Sequence, residues 1–380
     1  MKILYIANIR IPTEKAHGIQ IMNMCNSFAK LGNKVELVIP DRNNNIMEDP
    51  FIFYNIKPNF YIKKFFCFDL IYLGFIGFLI QSVTFSISSY KYILNYNADI
   101  IYSRDPLLLF FLSFRRKNIV WEVHTKKDDF LARILIKKLK LLVCISEGLK
   151  DFYLSIGANP NKTIVAHDAV DLVVFNNIVE DKNTLRKEFN LPVDKKIVSY
   201  VGKYKTMGMY KGVDELVQIF SKAYVENGNL FFLFVGINKE EIDDFKNVCK
   251  KYNLLEKSYK IISHIPQISA FRYLKVSDIA VMNYPDIDHY AHYMSPLKMF
   301  EYMASGCAII STDLPSIREV LTNEKDSILV PVGDKESFVK AIVFLSKDYG
   351  FLQRLSYSAY GLVAEKYTWD KRAENILSNI

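Results

Sequence analysis

The chain alternates short apolar runs with longer stretches of helical period. Runs at Lys2–Ala7, Lys34–Ile39, Ile100–Tyr102, Ile119–Val123, Leu141–Ile145 and Thr163–Ala166 are too short for helices and rich in Ile, Val and Leu, so they read as strands. Amphipathic segments such as Ile19–Lys30 and Ser146–Tyr153 lie between them. Strands separated by helices predict a parallel sheet. A polar segment of mixed charge, Asn176–Lys196, carries the Leu191-Pro192 break and marks a domain junction. The alternation then restarts, with strands at Ile197–Val201, Leu230–Val235, Lys260–Ile262, Ile279–Met282, Ala308–Ser311 and Ile328–Val330 and a helix at Val213–Tyr224. Leu230–Val235 is apolar without interruption, as a parallel strand covered on both faces requires. The fold class is α/β, with two doubly wound halves in series and a ligand cleft expected between them. The boundaries read from the pattern are 1–185, 186–362 and a final helical segment 363–380.

One stretch breaks the pattern. Phe65–Ile80 is mostly apolar but holds Asp69, Gly74 and Gly77, and it falls short of the roughly 20 residues that cross a bilayer. It reads as a buried or membrane-surface helix, with Lys63 and Lys64 suited to the headgroup region. The opening run Ile3–Ala7 ends at Asn8 and Arg10, which fits a buried first strand better than an export signal. A cytoplasmic place is expected, with peripheral contact at the inner face of the cell membrane as an extension.

The 380 residues are half apolar and about a quarter charged, enough for two domains with cores of ordinary size. The formal net charge of +8 falls almost wholly on the first half, and Arg115–Lys140 is its most basic stretch. Such a patch suits membrane lipid, a phosphate-bearing acceptor or nucleic acid; a solvated helix face is an equal reading. Nucleic acid is set aside, because the cations alternate with core-like Leu and Ile and no accompanying binding motif is found. The five cysteines have no Cys-x-x-Cys spacing and fit small core residues in a reducing cytosol.

The chemistry concentrates late in the chain. In Ser295-Pro296-Leu297-Lys298-Met299-Phe300-Glu301-Tyr302-Met303-Ala304-Ser305-Gly306, Ser295 reads as an N-cap, Pro296 as the first helical residue and Gly306 as the stop. Leu297, Phe300 and Ala304 share a face that points to a core. The helix start offers unpaired amides and roughly half a positive charge, an anion site suited to a diphosphate. Glu301 can accept from the vicinal hydroxyls of a ribose, or pair with Lys298 on the surface; on the residues alone the two stand level. A second cluster, Tyr200-Val201-Gly202-Lys203 and then Lys211-Gly212-Val213-Asp214, places a glycine after a strand and two cations near a helix start.

The first of these runs, followed by a buried strand and Thr312-Asp313-Leu314-Pro315-Ser316-Ile317-Arg318-Glu319, resembles the donor-binding segment of glycosyltransferase family 4. That resemblance implies a GT-B fold of two Rossmann-like domains and transfer of sugar with retention. The first domain would bind acceptor and the second the nucleotide sugar, with no essential metal or other cofactor. It implies that Glu301 holds the ribose and that Ser295, Pro296, Leu297 and Lys298 surround the diphosphate. Gly202, Lys203 and Lys211 then match the family's Gly-Arg…Lys-Gly clamp, with Lys205 a rival for the place of Lys203. The family has a further Glu where this chain has Tyr293, so the chain resembles a subgroup whose loop begins Ser-Pro-Leu-Lys. By the same resemblance Gly18 lines the donor side, His264 and Ile265 present backbone to the nucleobase, and His124 lies beside the transferred sugar. His17, Arg104 and Glu122 fall on the acceptor side. Asp168-Ala169-Val170-Asp171 with Phe175 matches another family segment, and Tyr367-Thr368-Trp369 opens a helix that returns to the first domain.

Asp286-Ile287-Asp288 with His289 and His292 has some look of a metal site, but a solvated loop is the expectation. The expected activity is transfer from a nucleoside diphosphate sugar to a glycan or lipid-linked saccharide in surface polysaccharide or glycoconjugate synthesis. A sugar-nucleotide epimerase and a non-catalytic partner of a polysaccharide assembly complex are the alternatives.

Overall fold

The structure, a computed structural model, describes residues 1–206, 209–210 and 212–380. Contacts divide the chain into two compact units, Met1–Asp168 with Trp369–Ile380, and Ala169–Thr368.

In the first unit the strands are β1 (Lys2–Ile6), β2 (Lys34–Asp41), β3 (Tyr61–Phe66), β4 (Ile100–Ser103), β5 (Ile119–Val123), β6 (Leu141–Cys144) and β7 (Thr163–Val165). They form one parallel sheet in the order β3-β2-β1-β4-β5-β6-β7. The chain builds outward from β1 to β3, then crosses to β4, so the order reverses between β1 and β4. The apolar pattern does not reveal β3: Tyr-Ile-Lys-Lys-Phe-Phe has no buried residue, because it is an edge strand carrying Lys63 and Lys64 toward water.

The second unit holds β8 (Lys196–Val201), the antiparallel pair β9 (Lys205–Thr206) and β10 (Met209–Tyr210), then β11 (Leu230–Ile237), β12 (Tyr259–Ser263), β13 (Ile279–Met282), β14 (Ala308–Thr312) and β15 (Ile328–Val330). Its main sheet runs β12-β11-β8-β13-β14-β15, again parallel. Alternate residues feed opposite cores. Ile197, Leu233, Ala280 and Ile309 join Met299, Phe300 and Met303 on one face. Val198, Phe232, Val281 and Ile310 join Leu216, Phe220 and Ile342 on the other. Here the order reverses between β8 and β13.

The division falls at residue 168, ahead of the expected junction at 185. The segment read as a linker is polar on its surface only. Phe175, Leu185 and Leu191 are buried in the second unit's core. Arg186 anchors the same segment, its Nη2 lying 2.6 Å from Asp278 Oδ2. At the other end the helix Tyr349–Lys366 stays with the second unit, and the chain rejoins the first at Trp369.

Candidate active site

Open parallel sheets bind ligands beyond the carboxyl ends of the strands where their order reverses. In the second unit that point lies between β8 and β13, whose pairing covers only Val198 and Ser199 of β8. Past it the backbone of β8 needs another partner, and Tyr302 supplies it. Its buried hydroxyl accepts from Val201 N at 2.9 Å and donates to Val201 O at 3.1 Å. Tyr302 belongs to the helix Leu297–Ser305, so the splayed strand and this helix are fastened together at the switch point.

The helix begins one residue later than its sequence indicates. Pro296 occupies the cap, Ser295 lies before it and is buried, and Leu297 is the first helical residue and only half-buried. No side chain caps the helix, and Met299 N donates to Pro296 O at 3.0 Å, so what points beyond the terminus at Leu297 is the positive end of the helix dipole. Gly306 ends the helix in the left-handed region at φ 77°. Lys298 brings a full charge to the same place: its Nζ lies 4.3 Å from the Tyr200 ring centroid and 5.2 Å from that of Tyr284. A methyl group added at Gly202 would meet that Nζ at 3.2 Å. Gly202 N donates to Val235 O at 2.8 Å, which seats its loop beside the end of β11. There Gly236, at φ 101°, has no room for a side chain, because a methyl would come within 3.0 Å of Gly202 O.

Glu301 stands one turn inside the helix. Its carboxylate accepts from Gln267 Nε2 at 2.7 Å, and burial raises its pKa while Gln267 and Lys298 pull it down. Gln267 opens the helix Gln267–Lys275 just after His264 and Ile265; His264 N donates to Ile237 O at 3.0 Å, and Ile265 packs on the core. Lys203 follows Gly202, and its carbonyl accepts from Tyr200 Oη at 3.0 Å. Lys211 lies outside the described residues. The neighbouring Gly212 sits at φ 69° at the start of the helix Val213–Glu226, and a side chain there would strike Asn283 O at 2.2 Å. Asn283 Nδ2 donates to Gly212 O at 3.0 Å, tying the end of this loop to the end of β13. Asp288–His292 forms a short helix with Tyr290 and Ala291 buried, where the sequence reads as a solvated loop. Tyr293 ends that helix, half-buried, its N–H donating to His289 O at 3.1 Å.

The first unit gathers its polar residues around Glu122, on β5. This fully buried carboxylate accepts from Gln20, from Tyr102, from His124 Nε2 at 2.5 Å and from Arg372 Nη1 at 3.1 Å. Burial alone would raise its pKa, but Arg372 and His124 hold it well below the usual carboxylate range. His124 is pushed down to about 4 by burial and by Arg104, so it is a neutral ring. With its Nε2 proton given to Glu122, its Nδ1 is left as an acceptor. Gln20 relays the network to Arg104, whose Nη1 donates to Gln20 Oε1 at 2.9 Å. His17 is likewise held near 4 by burial and Arg104. The structure therefore brings His17, Arg104, Glu122 and His124 together at the carboxyl ends of β1, β4 and β5. Gly18 is explained by packing: an added methyl would lie 2.3 Å from Tyr54 Oη and 2.5 Å from Thr13 Cγ2.

Arg372, Tyr102, Gln20, Gln267, Tyr302 and Asn283 are not legible in the sequence as site residues. Their roles arise from pairings between distant positions, none of which leaves a local pattern.

Two family models match the chain: "Glycosyltransferase Family 4" over residues 18–174 and "Glycosyl transferases group 1" over residues 181–362. An uncharacterized glycosyltransferase of Methanocaldococcus jannaschii is 21% identical over 252 residues, 64% of this chain and 59% of that relative, so the chain spans about three fifths of its length. Among solved structures, the sucrose-phosphate synthase of Thermosynechococcus elongatus superposes with a TM-score of 0.77 at 16% identity, over 99% of this chain and 97% of that one. Anabaena HepE, solved with UDP and glucose, gives 0.73 at 14%, over 100% and 98%. At such identities the likeness establishes the fold, two Rossmann-like parallel-sheet units of the GT-B class. The two family models together match most of the chain, and they show that it belongs to the glycosyltransferases of family 4.

Proposed function

We propose that the chain transfers a glycosyl group, with retention, from a nucleoside diphosphate sugar to a hydroxyl of a glycan or lipid-linked saccharide in surface polysaccharide or glycoconjugate synthesis. The observation that carries this reading is the Lys298 ammonium against Gly202 at the switch point, one turn from Glu301. A cation, a close backbone approach and a helix start together suit a diphosphate, and a carboxylate one turn away suits the ribose attached to it. No essential metal or other cofactor enters the scheme.

In the transfer, the bond between the anomeric carbon and the diphosphate oxygen breaks, and its electron pair stays with the diphosphate. Lys298, Lys203, Lys211 and the helix start at Leu297 stabilise that charge; preorganised donors of this kind contribute roughly 10²–10³ each in rate. The acceptor oxygen bonds to the anomeric carbon on the same face, and its proton passes to the departing diphosphate. Glu301 orients the donor and moves no proton. In the first unit, His124 is held neutral by its surroundings and oriented by Glu122, ready to accept a hydrogen bond from a sugar hydroxyl, with His17 and Arg104 beside the acceptor.

Purified protein incubated with UDP- and GDP-sugars tests the reading through release of nucleoside diphosphate and transfer to lipid-linked or glycan acceptors. Transfer supports it. Conversion of donor to an isomeric sugar nucleotide, or no turnover of any donor, contradicts it. Lys211→Ala is expected to lower turnover at saturating donor by roughly 10² or more while the urea midpoint stays unchanged; near-normal turnover would remove Lys211 from the clamp.

A further inference from the structure

The helix Gly74–Asn95 is built inside out. Its protein-facing side carries Gln81, Ser82, Ser86 and Ser89 beside Phe85 and Ile93. Its outer side, with the turn before it, exposes Tyr72 (80%), Phe75 (79%), Ile76 (66%), Leu79 and Ile87 (70%). A surface helix of a water-soluble unit has the opposite polarity. These inward side chains are tied in place: Gln81 Nε2 donates to Asn8 Oδ1 at 2.9 Å, Asn8 Nδ2 donates to Ser82 Oγ at 2.8 Å, and Ser86 and Ser89 bond their own helix, while Gln81 Oε1 has no partner among the described residues. Residues 71–95 are long and apolar enough to cross a bilayer, with a mean hydropathy of 1.6 over their most apolar 18 residues. Crossing would strip this polar side from the loop after β1, whereas lying in the plane of an interface leaves it intact.

Exposed apolar residues continue onto its neighbours. The helix packs on Pro106–Leu112, which packs on Phe130–Leu135. There Phe111, Phe114 and Phe130 are exposed among the exposed cations Arg115, Lys117, Lys127 and Lys137. Lys138 Nζ lies 3.5 Å from the Phe114 ring centroid. Exposed aromatics set among cations suit the boundary between anionic headgroups and acyl chains. A second copy seated symmetrically on this face would bring these cations against their own kind.

We infer that the outer face of residues 72–87, with the basic surface of 111–138, docks the first unit on an anionic bilayer. Through Asn8 this would set the loop after β1 at the membrane, beside a lipid-linked acceptor. The inference deepens the transfer reading and rests on it for the purpose of docking, though not for the docking itself.

Flotation of the full chain with vesicles of phosphatidylcholine, alone or with phosphatidylglycerol, tests this. Binding is expected on the anionic vesicles, lowered about tenfold or more by the double change Phe75→Ser and Ile76→Ser. Lys127→Ser with Lys137→Ser is expected to weaken binding to anionic vesicles alone. Neither variant should lower the melting temperature, because these side chains already face water. No binding to anionic vesicles, binding indifferent to Phe75 and Ile76, or an oligomer by light scattering that the apolar variant dissociates without any vesicle binding would overturn the inference. A melting shift with UDP or GDP, measured in parallel, separates the two readings. A shift without flotation sinks the docking alone, and flotation without a shift sinks the donor assignment alone.

Discussion

Neutral histidines dominate the electrostatics of the first unit. His17, His124 and His167 are each held near 4, in every case first by burial. An unfolded chain binds a proton at each below about 6.5. Between these values the unfolded state therefore holds more protons, and stability is lost as the pH falls, by up to about 1.4 kcal/mol per pH unit for each ring. Asp168 has the opposite sign. Burial lifts its carboxyl to about 7, so the folded state takes up a proton there and gains stability as the pH falls toward the unfolded value. The balance favours the histidines, and the urea midpoint is expected to drop from pH 7 to pH 5. Ring proton shifts by NMR give the direct check: His124 should stay flat from pH 8 to pH 5.5, and a midpoint near 6.5 would contradict its neutral state. At this scale the sequence shows which residues carry chemistry but not their states. Glu122 and His124 stand two apart, on β5 and just past its end, whereas Arg372, which fixes the charge of Glu122, lies 250 positions away.

Elements with strong local signals are legible, and elements made by tertiary context are not. Strands β5, β13 and β15 begin and end where their runs do: β5 and β13 are buried throughout, as parallel strands covered on both faces are, and the short edge strand β15 is half-buried. The edge strand β3 carries no such run. The helix at 297 is recognised by its proline and glycine, yet its start slips by one residue because a proline serves as well before the first turn as in it. What the pattern leaves out is the fastening of that helix to β8. Tyr302→Phe removes the partner of both backbone groups of Val201. A loss of about 1–3 kcal/mol is expected in urea unfolding, with weaker donor binding as the switch point loosens. Unchanged stability would mean that the splayed strand end finds other partners.

At the scale of the whole molecule, the restart of the alternation after residue 196 reveals two halves, but the division depends on anchoring that composition does not show. Phe175, Leu185 and the Arg186–Asp278 pair hold a polar stretch to the second unit. The return of the chain to the first unit rests on the helix Trp369–Ser378, where Arg372 also donates to His167 O at 2.8 Å. Arg372→Met strands a buried carboxylate and should cost about 3–5 kcal/mol, read as a fall in the first unit's urea midpoint. A change below 1 kcal/mol would show that Glu122 finds enough support in Gln20, Tyr102 and His124. The central claim is that the Lys298 end of the 297–305 helix holds the diphosphate of a nucleotide sugar. Titration calorimetry with UDP and GDP, and with uridine and guanosine, on the native chain and on Lys298→Ala, tests it most directly. One of the two diphosphates should bind the native chain and lose roughly tenfold or more in the variant, while any affinity for its nucleoside stays the same; equal affinity of both proteins for that diphosphate would contradict the account.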